Sequence, residues 1–355
     1  MNTERHSLHI QTKERKQLHL SPIPPSPCTV ECPLDTNVKA YVSLIAAGKF
    51  EQALDVVRRT NPFPGICGRV CPHPCESMCR RKEIDDPVSI AALKRFLADY
   101  ELRRGAIPKL VKTGNERGRV AVVGAGPAGL TCGADLARLG YDVKVFEALS
   151  IPGGMMVAGI PAYRLPREIV RVEIEAIEAL GVKIVLNTRI GDKLTVTNLV
   201  KDYDAVFIAP GAQASRSLAI PGTEKITEGM IDWVAFLREA ALGAGKYPGS
   251  SVVVVGGGNT AVDSARTALR LGAKQVRILY RRSRREMPAF EDEIIDAEEE
   301  GIRIEYLSAP KRLVHEHGRR TSAEINARAG AKSGYARVNA LNFKSKMKPT
   351  NAADV

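Results

Sequence analysis

Two glycine-rich turns about 130 residues apart constrain this chain more than any other feature. The first is Gly124, Ala125, Gly126, Pro127, Ala128, Gly129. It follows the apolar run Val120–Val123 and precedes a helical stretch to Leu139 and a second run, Asp142–Glu147. The second is Gly256, Gly257, Gly258, Asn259, Thr260, Ala261, set in the same way between Val252–Val255 and a helical stretch to Leu271, with Gln275–Tyr280 after it. A strand that turns tightly into a helix and returns as a parallel strand is half of a doubly wound sheet. The first glycine makes the turn and the second admits a pyrophosphate to the backbone. The third small residue lets the helix close on the strand, leaving the helix N-terminal amides facing the phosphates. The pattern predicts an α/β chain with two Rossmann-like dinucleotide-binding domains.

The two units differ where their second strands end. Glu147 closes the first, placed to accept hydrogen bonds from a ribose hydroxyl. The second runs from Tyr280 into Arg281 and Arg282 with no carboxylate. A carboxylate there repels a 2′-phosphate and arginines pair with it, so the second site is expected to take NADPH rather than NADH.

Six of the seven cysteines lie ahead of both units, as Cys28-x3-Cys32 and Cys67-x3-Cys71-x3-Cys75-x3-Cys79. Such a cluster without an export signal reads as metal binding in a reducing compartment, here the cytoplasm. Spacing alone admits an iron–sulfur cluster, zinc or no metal at all; the neighbouring nucleotide domains favour a [4Fe–4S] cluster and electron transfer. His73 is expected beside the ligands rather than among them, and Cys132 in the core. Helical periodicity marks Asn37–Ala47, Phe50–Arg59 and Val88–Arg104, and Pro72 and Pro74 break the cysteine stretch.

Composition excludes several classes. No apolar run reaches 18 residues, so no membrane partner is expected. The net charge of +12 suggests nucleic acid until it is located. Residues 311–355 hold ten Lys and Arg against three acids, more than half of the excess, and the rest of the chain is unremarkable. No nucleic-acid partner is expected.

The chain resembles the small (beta) subunit of NADPH-dependent glutamate synthase, a module shared with dihydropyrimidine dehydrogenase and bifurcating ferredoxin:NADP oxidoreductases. The resemblance runs from about Cys28 to about His317 and rests on long motifs. These are Asn61-Pro-Phe-Pro-Gly-Ile-Cys-Gly-Arg-Val-Cys-Pro72, Pro152-Gly-Gly154, Gly159-Ile-Pro-Ala-Tyr-Arg-Leu-Pro166, Gly256-Gly-Gly-Asn-Thr-Ala-Val-Asp263 and Arg281-Arg-Ser-Arg-Arg-Glu-Met-Pro288. It implies a flexible segment over 1–27 and a helical iron–sulfur domain over 28–114. The first part of an FAD domain over 115–225, an NADPH domain over 226–318 and an unassigned basic tail over 319–355 would follow.

By the same resemblance FAD binds the first glycine loop. Gly153, Gly154 and Met155 lie near the flavin, Arg164 contacts the cofactor, and Ile190 offers backbone contacts from a strand. Ala209, Pro210 and Gly211 form a chain crossing beside it. Electrons would pass between NADPH, FAD and the cluster to a large subunit or other electron-accepting partner, with no catalytic side chain needed. In the family pattern Cys32, Cys71 and Cys75 serve one cluster and Cys28 and Cys79 another. No cysteine precedes Cys28, and Lys94-Arg95 stands where some relatives carry a ligating glutamine, so one cluster is expected, with Cys67 completing it. No cysteine pair lies beside the flavin, which excludes thioredoxin-reductase chemistry. The family's chain returns to the FAD domain after the NADPH domain, and nothing after Gly318 resembles that return. A truncated chain with an incomplete FAD domain is therefore expected. The alternative is a catalytically impaired nucleotide- and metal-binding interaction module.

Overall fold

Short helices dominate the start of the computed structural model, which describes residues 25–105, 110, 117–215, 218, 220–223, 229–243, 249–316, 320–327 and 337–340. They are α1 (Pro27–Val30), α2 (Val38–Ala46), α3 (Phe50–Arg58), α4 (Pro64–Val70), α5 (Pro74–Ser77) and α6 (Ile90–Arg103). The Asn37 side chain caps α2 by accepting from the Ala40 amide at 3.1 Å, which is why the helix starts one residue later than periodicity alone suggests. Pro64 and Pro74 open α4 and α5, where a missing amide costs nothing. Val38, Tyr41, Leu54, Val57, Ile90 and Leu97 close a small core around Cys75. Residues 1–24 of the expected flexible segment lie outside the described residues.

The first nucleotide unit comprises β1 (Arg119–Val123), α7 (Pro127–Arg138), β2 (Asp142–Phe146), α8 (Met155–Ala158), α9 (Arg167–Glu178), β3 (Lys183–Val185), α10 (Val196–Asp202) and β4 (Ala205–Ile208). Its sheet is parallel in the order β3-β2-β1-β4. The residues Val120 to Val122 are buried, as a central parallel strand covered on both faces requires. α7 and α9 bury Leu130, Ala134, Ile174 and Ile177 against Val122 and Val145, and Phe63 and Ile66 of the helical region join this core.

The second unit holds α11 (Trp233–Ala241), β5 (Ser251–Val255), α12 (Asn259–Arg270), β6 (Gln275–Leu279), α13 (Glu291–Glu299) and β7 (Arg303–Glu305), with a parallel sheet β5-β6-β7. Val262, Ala265, Ile278 and Ile294 form its core. An antiparallel sheet of β8 (Ser308–Glu316), β9 (Arg320–Ala327) and β10 (Arg337–Ala340) follows.

β9 and β10 lie within 319–355, the stretch left unassigned from the sequence. Thr, Ser, Ala and Asn supply most of β9, and such residues hide the two-residue apolar alternation that signals a strand. Residues 328–336 and 341–355 lie outside the described residues. No helix among the described residues is long and apolar enough to cross a membrane.

Candidate functional site

The first glycine loop is the meeting point of three segments distant in sequence. Gly124 has φ +102°, and a Cβ there would fall 2.2 Å from the Ala209 carbonyl oxygen, so the chain crossing lies directly against the turn. The Ala209 amide donates to the Val123 carbonyl at 2.8 Å and fixes Ala209, Pro210 and Gly211 there. From the other side the Gly153 amide donates to the Ala125 carbonyl at 2.8 Å. A Cβ on Gly154 would come within 2.8 Å of Gly126 Cα, so the two backbones touch and Met155 starts α8 beside the loop. The loop runs into α7 with Pro127 at its first position.

Glu147 does more than periodicity suggests. Its buried carboxylate accepts from the Ala125 amide and from the Leu149 amide, both at 2.8 Å, so it ties the strand end to the loop. A carboxylate has lone pairs left for a further donor. Ile190 is a correction: it lies on no strand of the sheet, but in an isolated bridge with Leu194. Its half-buried side chain packs against the cluster of Ala121, Phe146 and Leu199.

Arg164 sits between the two units. Its guanidinium reaches Asp263 on α12 and Glu293 on α13, each at 2.7 Å, and is 7% exposed. Arg266 joins Glu293, Asp296 and Glu300, and the rings and guanidiniums of Tyr163, Arg266 and Arg270 stack beside it. Burial pushes the Asp263 carboxyl up to about 6 against the pull of Arg164. Sequence reasoning placed Arg164 by motif and missed this network, because Asp263 and Glu293 lie about 100 residues or more downstream.

The second loop has the same build. The Gly256 amide donates to the Leu279 carbonyl at 3.1 Å, and Gly258 caps α12. Gly257 lies in the turn between them and Thr260 in the first turn of α12, and the Asn259 side chain accepts from the Phe290 amide at 2.9 Å, tethering the start of α13. Arg281 and Arg282 follow β6 and are exposed. Arg282 lies 4.0 Å from Glu286, whose carboxylate is held low by the Ser283 amide and hydroxyl.

The cysteines gather on the helical region. Cys67 lies on α4 and Cys71 caps its end, Cys75 lies on α5, and Cys28 and Cys32 flank the end of α1. Cys75 is in electrostatic reach of Cys32 and Cys71, the trio that the family pattern groups, and Cys28 and Cys75 pack in one core with Tyr41. Cys79 heads a 3-10 turn, Arg80–Glu83, and faces Arg81. Burial pushes the Cys67 and Cys75 thiols up to about 11, with Lys94 pulling both down.

Among the described residues no three ligand side chains converge as a single metal ion requires. A cubane spreads its thiolates farther apart than one ion does, and other features here fit one. All six donors are soft thiols, free of disulfides. The His73 amide donates to Cys71 Sγ at 3.4 Å. The Tyr41 hydroxyl and Asn61 Nδ2 are buried beside the thiols without a partner, as groups that face an absent acceptor would be. The His73 imidazole pairs with Glu76 at 3.2 Å, in keeping with a place beside the ligands.

Comparison with known proteins agrees with this layout. Residues 118–332 match the family described as pyridine nucleotide-disulphide oxidoreductase, and residues 23–106 match dihydropyrimidine dehydrogenase domain II, 4Fe-4S cluster. The NADP(+)-dependent formate dehydrogenase subunit beta of Moorella thermoacetica is 46% identical over 323 residues, covering 85% of this chain and 46% of that protein. The glutamate synthase [NADPH] small chain of Azospirillum brasilense is 33% identical, covering 80% of this chain and 62% of that one. FprA of Mycobacterium tuberculosis, solved in complex with NADPH, shares the fold with a TM-score of 0.52 at 20% identity, over 63% of this chain and 67% of that chain. The chain thus spans less than half the length of the Moorella relative.

Proposed function

The chain belongs to the pyridine nucleotide-disulphide oxidoreductase family and carries a dihydropyrimidine dehydrogenase-type 4Fe-4S domain ahead of it, and from that premise we propose that it passes electrons between NADPH, FAD and one [4Fe–4S] cluster to a partner subunit, as a glutamate synthase small subunit does. The observation that carries this reading is the convergence of Gly126, Gly154 and Ala209 on one turn, with Cys67 packed against the same core. When bound, NADPH would supply hydride chemistry, FAD two-electron and one-electron chemistry, and the cluster one-electron chemistry.

The protein's own part is placement. The Gly124–Gly129 loop and the α7 N-terminus hold the FAD pyrophosphate, and Glu147 holds a ribose hydroxyl while it anchors the loop. The Gly256–Thr260 loop does the same for NADPH, and Arg281 and Arg282 take its 2′-phosphate. Arg164 acts from between the units, where it sets how closely the two loops face each other. No general acid or base is required. The partner is an electron-accepting subunit, and the relatives' names as subunit beta and small chain support an assembly of several subunits.

Protein purified without oxygen should show flavin bands and the broad absorption of an iron–sulfur cluster, and should reduce a dye with NADPH. Absence of both absorptions after reconstitution overturns the proposal. Replacing Arg281 and Arg282 together by alanine should raise the KM for NADPH about tenfold to a hundredfold, the worth of one or two charge-assisted hydrogen bonds, and leave NADH nearly unchanged. Equal losses for the two nucleotides would remove the arginines from the phosphate site.

A further inference from the structure

Lys94 is a buried cation with an unfilled electrostatic role. It is 6% exposed, and no carboxylate lies within ion-pair distance of it among the described residues. An unpaired ammonium is costly to bury, so such a group normally faces an anion. Two geometric facts show where that anion belongs. Ile90, Lys94 and Leu97 share the buried face of α6, and Ile90 and Leu97 pack in the same core as Cys75. One residue along, a Cβ on Gly68 would fall 2.7 Å from the backbone of Arg95, so α4 and α6 cross in backbone contact. The glycine gives α6 room to come this close. Cys67 and Lys94 are the residues next to that crossing. The Lys94 charge accordingly acts on both the Cys67 and the Cys75 thiols.

Two acidic side chains lie near these thiols, Glu76 by Cys75 and Glu173 by Cys67, and both are already held. Glu76 accepts from the Ala91 amide at 2.7 Å and pairs with His73. Glu173 accepts from the Gly65 and Ile66 amides. Lys94 is the cation that acts on both thiols.

We propose that Lys94 is the fixed counter-charge of the cluster bound by these cysteines and sets its reduction potential. The inference rests on the cluster proposed above. A thiolate-bound [4Fe–4S] centre is an anion and gains one further negative charge with each electron accepted, so a nearby buried cation favours the reduced form. Without it the cluster is a poorer acceptor of electrons from the flavin.

The test is a redox titration of the anaerobically reconstituted full chain, followed by electron paramagnetic resonance of the reduced cluster, for wild type, Lys94→Met and Lys94→Arg. Lys94→Met should lower the reduced-to-oxidised ratio at a fixed potential about tenfold, a shift of about 59 mV for one electron. Lys94→Arg should stay close to wild type. An unchanged potential in Lys94→Met overturns the assignment. Should Lys94→Met fail to hold a cluster, retention in Lys94→Arg supports a charge role, whereas loss in both, with native circular dichroism, shows a packing role and overturns it. A wild-type chain that takes up no cluster defeats the proposed function itself, and this inference with it.

Discussion

Arg164→Ala is expected to weaken the attachment between the two nucleotide-binding units by about 3–5 kcal/mol, the cost of stranding a buried charge. Glu293 keeps Arg266 at 2.6 Å after the change, so Asp263 is the group stranded; its Oδ1 already lacks a partner. The loss should depend on pH in a defined direction. Burial raises the Asp263 carboxyl to about 6 in the fold, above the unfolded value of 3.8, so its contribution is full in acid and is lost as pH rises through about 6. Without Arg164 the carboxyl climbs further. The deficit should therefore be small near about pH 5 and grow toward about pH 8. Calorimetry should show the second unit melting as a separate, earlier step, and Asp263→Asn added to Arg164→Ala should recover much of the loss. Arg164→Lys keeps the charge but not the fork that reaches two carboxylates, and belongs in between. A deficit that is the same at both pH values would mean that Asp263 is not the stranded group.

Glu173→Ala should detach the cysteine-bearing helix α4 from the first nucleotide unit. The buried carboxylate accepts from the Gly65 amide at 2.6 Å and the Ile66 amide at 3.1 Å, the first free donors of α4. Each amide left without an acceptor costs about 1–3 kcal/mol, and the cavity adds to that. Burial pushes Glu173 up to about 8, against the pull of the two amides and of Arg58 and Arg69. A carboxyl raised in the fold stabilises fully below its unfolded value of 4.5, and that support fades as pH rises through about 8. Cluster retention in wild type should then fall between neutral and alkaline pH. Glu173→Gln should flatten the profile, because its amide oxygen still accepts and no charge forms, while Glu173→Ala should release the cluster fastest. Equal cluster lifetimes in all three proteins would separate Glu173 from the cysteine site.

Much of the nucleotide-binding framework is legible in the sequence because its signals are local. The runs Val120–Val123 and Val252–Val255 and the glycine turns after them lie within a dozen residues, and the structure forms β1, β5, α7 and α12 there. The helices α2, α3 and α6 fall within about two residues of the stretches that periodicity marks, displaced only by caps such as Asn37. What escapes is set by partners far along the chain. Glu173 falls between Ile169 and Ile177 on the apolar face of α9, but the amides that its carboxyl group accepts from lie 107 and 108 residues earlier. Asp263 reads as part of a nucleotide motif, and Lys94 as the place of a missing ligand. For Ile190 the family pattern implies a role on a strand, but carries no information on its local pairing, which is an isolated bridge with Leu194. In β9, short polar side chains left no alternation to detect.

The cap that Glu173 places on α4 also orders events during synthesis. The Gly65 amide and its acceptor are separated by 108 residues. At 5–20 residues per second a ribosome needs roughly 5–20 s to add that length. The helix that carries Cys67 is therefore made well before the group that closes its first turn, and for that interval the thiols belong to a helical segment with no sheet to dock on. Assembly factors would meet these cysteines before α9 covers the approach from its side.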